Sequence, residues 1–152
     1  MAPKLKMGSI KLIVTGDGFE GEEPQISNYK SAFCTTLVEN KPLSPNQYIQ
    51  GVVDNFTINV MIGSEPYSLG IFDTTGQEDN DRLRFLAYPN TDIIIITFII
   101  EKESTLDNIF GKWLPEAKKF APQAALFLVG LHAVEGHVPK NVSNFMFGSI
   151  LE

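Results

Sequence analysis

Two stretches constrain this chain more than any others: "TDIIIITFII" at 91–100 and "AALFLVG" at 124–130. Both are apolar at successive positions, so neither has a face to turn to water, and strands of this kind lie in parallel sheets covered by helices on both sides. Between them "ESTLDNIFGKWLPEAKKFAP" carries Leu106, Ile109, Phe110, Trp113, Leu114, Ala117 and Phe120 at helical spacing. We expect a helix there, with Ser104 as its N-cap and a kink or break at Pro115. Strand, helix, strand then makes a right-handed crossover unit.

The rest of the chain extends this unit. "IKLIVT" at 10–15 reads as a buried strand and residues 30–39 as a short helix. In "NFTINVMIG" the residues Phe56, Ile58, Val60 and Ile62 alternate with Thr57, Asn59 and Met61, the period of a strand with one covered face. With the turn "GSEP" and the strand "YSLGIFD", residues 54–73 form an antiparallel hairpin. The chain is thus α/β, with a mostly parallel sheet, one antiparallel hairpin strand and flanking helices. Its 152 residues suit a single domain. A net charge of −6 argues against nucleic acid as a main partner. One cysteine, Cys34, fits a reducing compartment and a place in the core. The N-terminus lacks a signal-peptide pattern and no apolar run reaches a membrane span, so a cytoplasmic protein is expected. His132 and His137, five apart with no Cys or acid cluster nearby, read as surface residues rather than a metal pair.

In such a sheet, ligands bind beyond the carboxyl ends of the strands, so the loops after Thr15, Phe72 and Val129 should converge on one crevice. The first of these is "GDGFEGEEPQISNYKS", Gly16 to Ser31. A phosphate loop has Gly, four residues, Gly, then Lys and Ser or Thr. Gly16 and Gly21 fit the glycines, but Glu22 and Glu23 then stand in the Lys and Ser/Thr places; the Lys-Ser pair comes only at Lys30-Ser31. The second loop, "DTTGQE", is more specific. An acid at a strand end holds Mg²⁺, a following Gly admits a terminal phosphate, and a Gln orients the attacking water; Asp73, Gly76 and Gln77 stand in these relations.

These residues resemble the small GTPase superfamily, a P-loop NTPase fold, and specifically its Rho family, nearest to Rac-like members. The resemblance covers roughly residues 10–18 and 30–130, and "FDTTGQEDNDRLR" with "YPNTD" marks the Rho branch. It implies a signalling switch with GTP/GDP and Mg²⁺ as ligands. Gly16, Asp17, Gly18, Lys30, Ser31, Gly76 and Ser149 would bind nucleotide, Ser31 and Asp73 would bind Mg²⁺, and Gln77 would position the water. Effectors and regulators of Rho GTPases would meet Tyr48, Val52, Asp54, Asn55 and Phe56 and, on the second switch, Asp81, Arg82 and Leu83.

Set against that family, the chain departs in several places. Lys30-Ser31 is taken as the working pair, with an insertion at about 19–29 whose Glu20, Glu22 and Glu23 add negative charge and open the nest of N–H groups. Thr75 replaces the usual Ala. Gly51 stands where a first-switch Thr contacts Mg²⁺ and γ-phosphate. Val134 stands where an Asp accepts from the guanine base, leaving those donors unpaired. "VSNFMFGSIL" resembles the last strand and its Ser149-containing loop, with the segment after 134 shortened. The last helix, the polybasic tail and the prenylated Cys are expected to be missing, which implies no direct lipid anchor and possible self-association through the exposed sheet face. The expected function is a pseudo-GTPase binding module with weak or lost nucleotide binding. The alternatives are a genuine switch with slow GTPase activity, or a truncated or mis-spliced product.

Overall fold

The computed structural model describes residues 8–17, 29–40, 54–74 and 81–131. Strand β1 (Gly8–Gly16) shows why the sheet is covered on both faces. Its Leu12 and Val14 pack with Ile71 and with Cys34 of helix α1 (Tyr29–Glu39) on one face. Ile13 points the other way, into a cluster with Tyr88, Ile94, Ile96, Phe98, Ile109, Trp113 and Ala117. Side chains alternate across a strand, so an unbroken apolar run feeds two cores at once.

Strands β2 (Asp54–Ile62) and β3 (Glu65–Asp73) form the expected antiparallel hairpin, turning at Gly63 with φ +63°. Phe56, Ile58 and Val60 are half-buried while Asn55, Thr57, Asn59 and Met61 are exposed; Ile62 at the tip departs from the expected pattern and is exposed as well. Helix α2 (Asp81–Ala87) precedes β4 (Ile93–Ile99), and β5 (Ala125–Leu131) comes last among the described elements. The sheet order is β2-β3-β1-β4-β5, with every pairing parallel except the hairpin. β2 is an edge strand, as its alternation requires. The expectation that β5 is buried on both faces does not hold: Leu126 and Leu128 pack on the Trp113 core, but Phe127 is 54% exposed.

The helical segment between β4 and β5 differs from expectation at its N-cap, and near Pro115 it changes helix type without ending. Its N-cap residue is Lys102, which makes no side-chain capping bond, and Ser104 lies inside the first turn of α3 (Glu103–Asn108). The neighbouring Thr105 takes over the anchoring: its Oγ accepts from the Ile99 N–H at 2.9 Å and donates to the Lys102 carbonyl at 2.7 Å. Pro115 does not break the helix. A π-helical turn at Ile109–Trp113 joins α3 to α4 (Leu114–Phe120), and the Leu114 N–H reaches back five residues to the Ile109 carbonyl. Pro115 has no N–H for the Gly111 carbonyl and its ring would crowd that oxygen in a regular α-turn; the wider turn relieves this. The buried stripe is Thr105, Ile109, Trp113, Ala117 and Ala121.

Candidate functional site

Parallel pairing aligns the carboxyl ends of four strands. Val14 lies opposite Asp73, Gly16 opposite Thr97, and Thr97 opposite Val129. Gly16 has φ +137°, and a Cβ there would lie 2.4 Å from the Thr97 carbonyl oxygen and 2.5 Å from its Oγ. A glycine is thus required by the close approach of β1 to β4, independently of any phosphate. At the end of β3, the Thr74 N–H and Oγ both donate to the Val14 carbonyl, at 3.1 and 2.9 Å, and tie β3 to β1.

Against this corner sits the first turn of α1. Lys30 donates to the Asp73 carboxylate and to the Thr74 carbonyl, and the Ser31 hydroxyl donates to the other Asp73 oxygen. Lys30, Ser31, Asp73 and Thr74 are all buried, none more than 4% exposed. A cation and a hydroxyl on consecutive residues thus meet a carboxylate more than forty positions away in sequence. Cys34, one turn further along α1, has its thiol pushed up to about 12 by burial and by the nearby Asp73 charge, with Lys30 opposing.

Mg²⁺ takes oxygen ligands from one or two side chains and fills its remaining positions with phosphate oxygens and water. The Ser31 hydroxyl beside an Asp73 oxygen is a donor set of that kind, so these residues fit the ion and would hold it. Among the described residues there is no group of three or more His, Cys, Asp or Glu that could hold a metal on protein ligands alone.

Asp17, the residue after the last position of β1, has its side chain turned away from the Lys30 corner. Its carboxylate accepts from the Asn108 side-chain amide and from the Trp113 indole N–H, each at 2.7 Å, and so faces the helix rather than the Lys30 corner. Of the expected partner residues, Asn55 is exposed on β2, and Phe56 packs against the α1-side core. Asp54 opens the strand. On α2, Arg82 and Leu83 are exposed, and Asp81 pairs with Arg84. Leu86, 76% exposed on the same short helix, is a further surface side chain that no motif in the sequence singles out. Gly18, Tyr48, Gly51, Val52, Thr75, Gly76, Gln77, Val134 and Ser149 lie outside the described residues.

The stretch "DRLR…YPNTD" also does structural work that no periodicity reveals. Arg84, 1% exposed, makes a bidentate bond to Glu116 of α4, Nε and Nη2 donating at 2.7 and 2.8 Å. The Tyr88 hydroxyl donates to the same carboxylate at 2.8 Å. Burial works against charge on Arg84, but Glu116 and Asp81 outweigh it and hold the guanidinium above its ordinary value. Burial, and then the Glu116 charge, raises the Tyr88 phenol as well. Asp92 accepts from the Lys11 N–H at 2.8 Å, and the Lys11 ammonium closes the end of α2 by donating to the Ala87 and Pro89 carbonyls.

A mostly parallel sheet with one antiparallel strand, a Lys-Ser pair opening the first helix and an acid closing the third strand define a small-GTPase fold. The sequence model of the Ras family matches residues 11–139, and the chain belongs to that family. It is a GTPase-fold signalling domain. Guanine nucleotide with Mg²⁺, and protein effectors and regulators, are the ligands that membership of the family suggests. Among the described residues no helix is long and apolar enough to cross a membrane.

Proposed function

We propose that the chain is a Rho/Rac-like pseudo-GTPase: a single domain over 1–152, with an insertion at about 19–29 and a shortened segment after 134, that binds partner proteins and holds guanine nucleotide weakly or not at all. The observation that carries this reading is the mutual satisfaction of Lys30, Ser31 and Asp73. A buried ammonium is costly when unpaired; here Asp73 neutralises it, so the fold does not need a nucleotide to compensate that charge. Sequence adds the rest: the acidic insertion, Gly51 for a switch hydroxyl and Val134 for the base-reading acid. The Rho assignment rests on "FDTTGQEDNDRLR" and "YPNTD". Docking of Rho-type effectors or regulators is assigned to the β2 edge at Asn55 and Phe56 and to α2 at Asp81, Arg82 and Leu83.

One observation favours the second reading, a GTP/GDP switch with slow hydrolysis. Lys30, Ser31 and Asp73 stand together, and a phosphate facing Lys30 with Mg²⁺ facing Asp73 could replace both halves of the ion pair. Titration of the full chain with fluorescent GDP and Mg²⁺ separates the two. The pseudo-GTPase reading expects no saturable binding below micromolar concentrations, and a nanomolar Kd overturns it. Added GDP should likewise leave the unfolding midpoint unmoved, since a ligand stabilises in proportion to ln(1 + [L]/Kd). Shortening the insertion by about eight residues together with Val134→Asp should recover GDP binding, by restoring the loop's N–H nest and the base acceptor.

A further inference from the structure

Trp113 is the chain's only tryptophan and is fully buried. Two parts of the molecule meet on it. Its Nε1–H donates to Asp17, the residue that follows the last position of β1, and Asn108 holds the other oxygen of the same carboxylate. On its ring face lies the guanidinium of Arg84 from α2, 4.9 Å from the centroid, with the Lys112 ammonium also over the ring at 4.7 Å. Arg84 is held in place by its bidentate bond to Glu116.

The π-turn makes this arrangement possible. Asn108 and Trp113 are five positions apart, and an α-helix, turning about 100° per residue, would point them roughly 140° away from each other. A turn widened by one residue brings positions five apart onto one side of the helix, as the Leu114 N–H to Ile109 carbonyl bond shows for the same turn. Both side chains then reach one carboxylate. The two contacts of the indole also reinforce each other. An N–H donating to an anion pushes electron density into the ring, and a denser ring attracts the guanidinium more strongly, most of all where water is excluded.

We propose that Trp113 is a positioning residue that couples the end of β1, through Asp17, to α2, through Arg84, so that displacing either segment loosens the other. The coupling goes beyond the proposed function and holds whether or not nucleotide binds, so its test is made without nucleotide.

Amide hydrogen exchange and tryptophan emission are measured on the full chain and on Asp17→Ala, Arg84→Lys and Trp113→Phe. Asp17→Ala should shift the emission of the single tryptophan. It should also speed exchange about tenfold both at Thr15–Gly16 and at Phe85–Ala87, the expected effect of losing one charge-assisted hydrogen bond. Arg84→Lys should speed exchange at Thr15–Gly16, which it does not touch. Amides of the β2–β3 hairpin should keep their rates in both variants, which distinguishes coupling from general destabilisation. In the Trp113→Phe background, adding Asp17→Ala should change nothing further at Phe85–Ala87. The proposal is overturned if Asp17→Ala leaves α2 exchange within about twofold of the parent, or if the hairpin accelerates equally. Should Trp113→Phe fail to fold, the other two variants decide the matter alone.

Discussion

Removing the Glu116 carboxylate should be among the most damaging single changes away from the nucleotide corner. Glu116 accepts three hydrogen bonds, two from Arg84 at 2.7 and 2.8 Å and one from Tyr88 at 2.8 Å. The Arg84 side chain is 0% exposed and that of Glu116 9%, so water cannot replace these bonds without opening the packing of α2 on α4. Truncating one member of a buried pair costs about 3–5 kcal/mol, because the other charge is left uncompensated. Asp81 still pairs with Arg84, but it is 34% exposed and reaches only one side of the guanidinium, which puts Glu116→Ala near the lower end. About 3 kcal/mol lowers the unfolding midpoint by roughly 10 °C in a domain of this size. Urea unfolding measures it directly, with an unchanged denaturant slope expected. The double variant Arg84→Met, Glu116→Leu should recover part of the loss, since it removes both members of the buried pair and leaves the Tyr88 hydroxyl and the partly exposed Asp81 carboxylate unpaired. A cost below about 1 kcal/mol for Glu116→Ala, the value of an exposed surface pair, would refute the reasoning.

Gly16→Ala should cost about 2–3 kcal/mol, since it combines a positive φ with a clash against the Thr97 backbone, whereas Gly63→Ala, with open space around it, should cost only about 1 kcal/mol. Thermal unfolding of the two variants gives the order, and equal costs would contradict the packing reason for Gly16. The Cys34 thiol, pushed up to about 12, should react with a thiol reagent at pH 8 roughly a thousandfold more slowly in the native chain than after unfolding. Because its native value lies above the unfolded one, the native state binds the extra proton between about pH 9 and pH 12. The stability contributed by Cys34 is therefore complete below about pH 9 and is lost as the pH rises through that window. Urea midpoints across it should fall less steeply in Cys34→Ala.

Much of the architecture was legible because it is written locally. A strand covered on both faces must be apolar at every position, and a half-covered one must alternate. Those patterns yield the order of elements and the edge place of β2 without any knowledge of contacts. The Lys30-Ser31 pair and Asp73 were also legible, the first from the Lys-Ser of the phosphate-loop pattern and the second from the acid that opens "DTTGQE" at a strand end. The local pattern of β5 misled: an apolar run says that a strand can be buried on both faces, and Phe127 depends on what neighbours it.

What only the tertiary structure decided is which side chains satisfy one another across long separations. Asp17 and Trp113 are 96 positions apart, and Arg84 and Glu116 are 32 apart. No pattern in either segment names the other. They meet because β1 lies beside β4 and because a proline-linked π-turn rotates Asn108 and Trp113 onto one side of the helix. Asp17 was therefore readable as a polar residue after a glycine at a strand end, but not as the acceptor of an indole N–H. Periodicity reports how much of each face is covered; the direction of a single hydrogen bond is set by the packing of elements that sequence neighbours do not share.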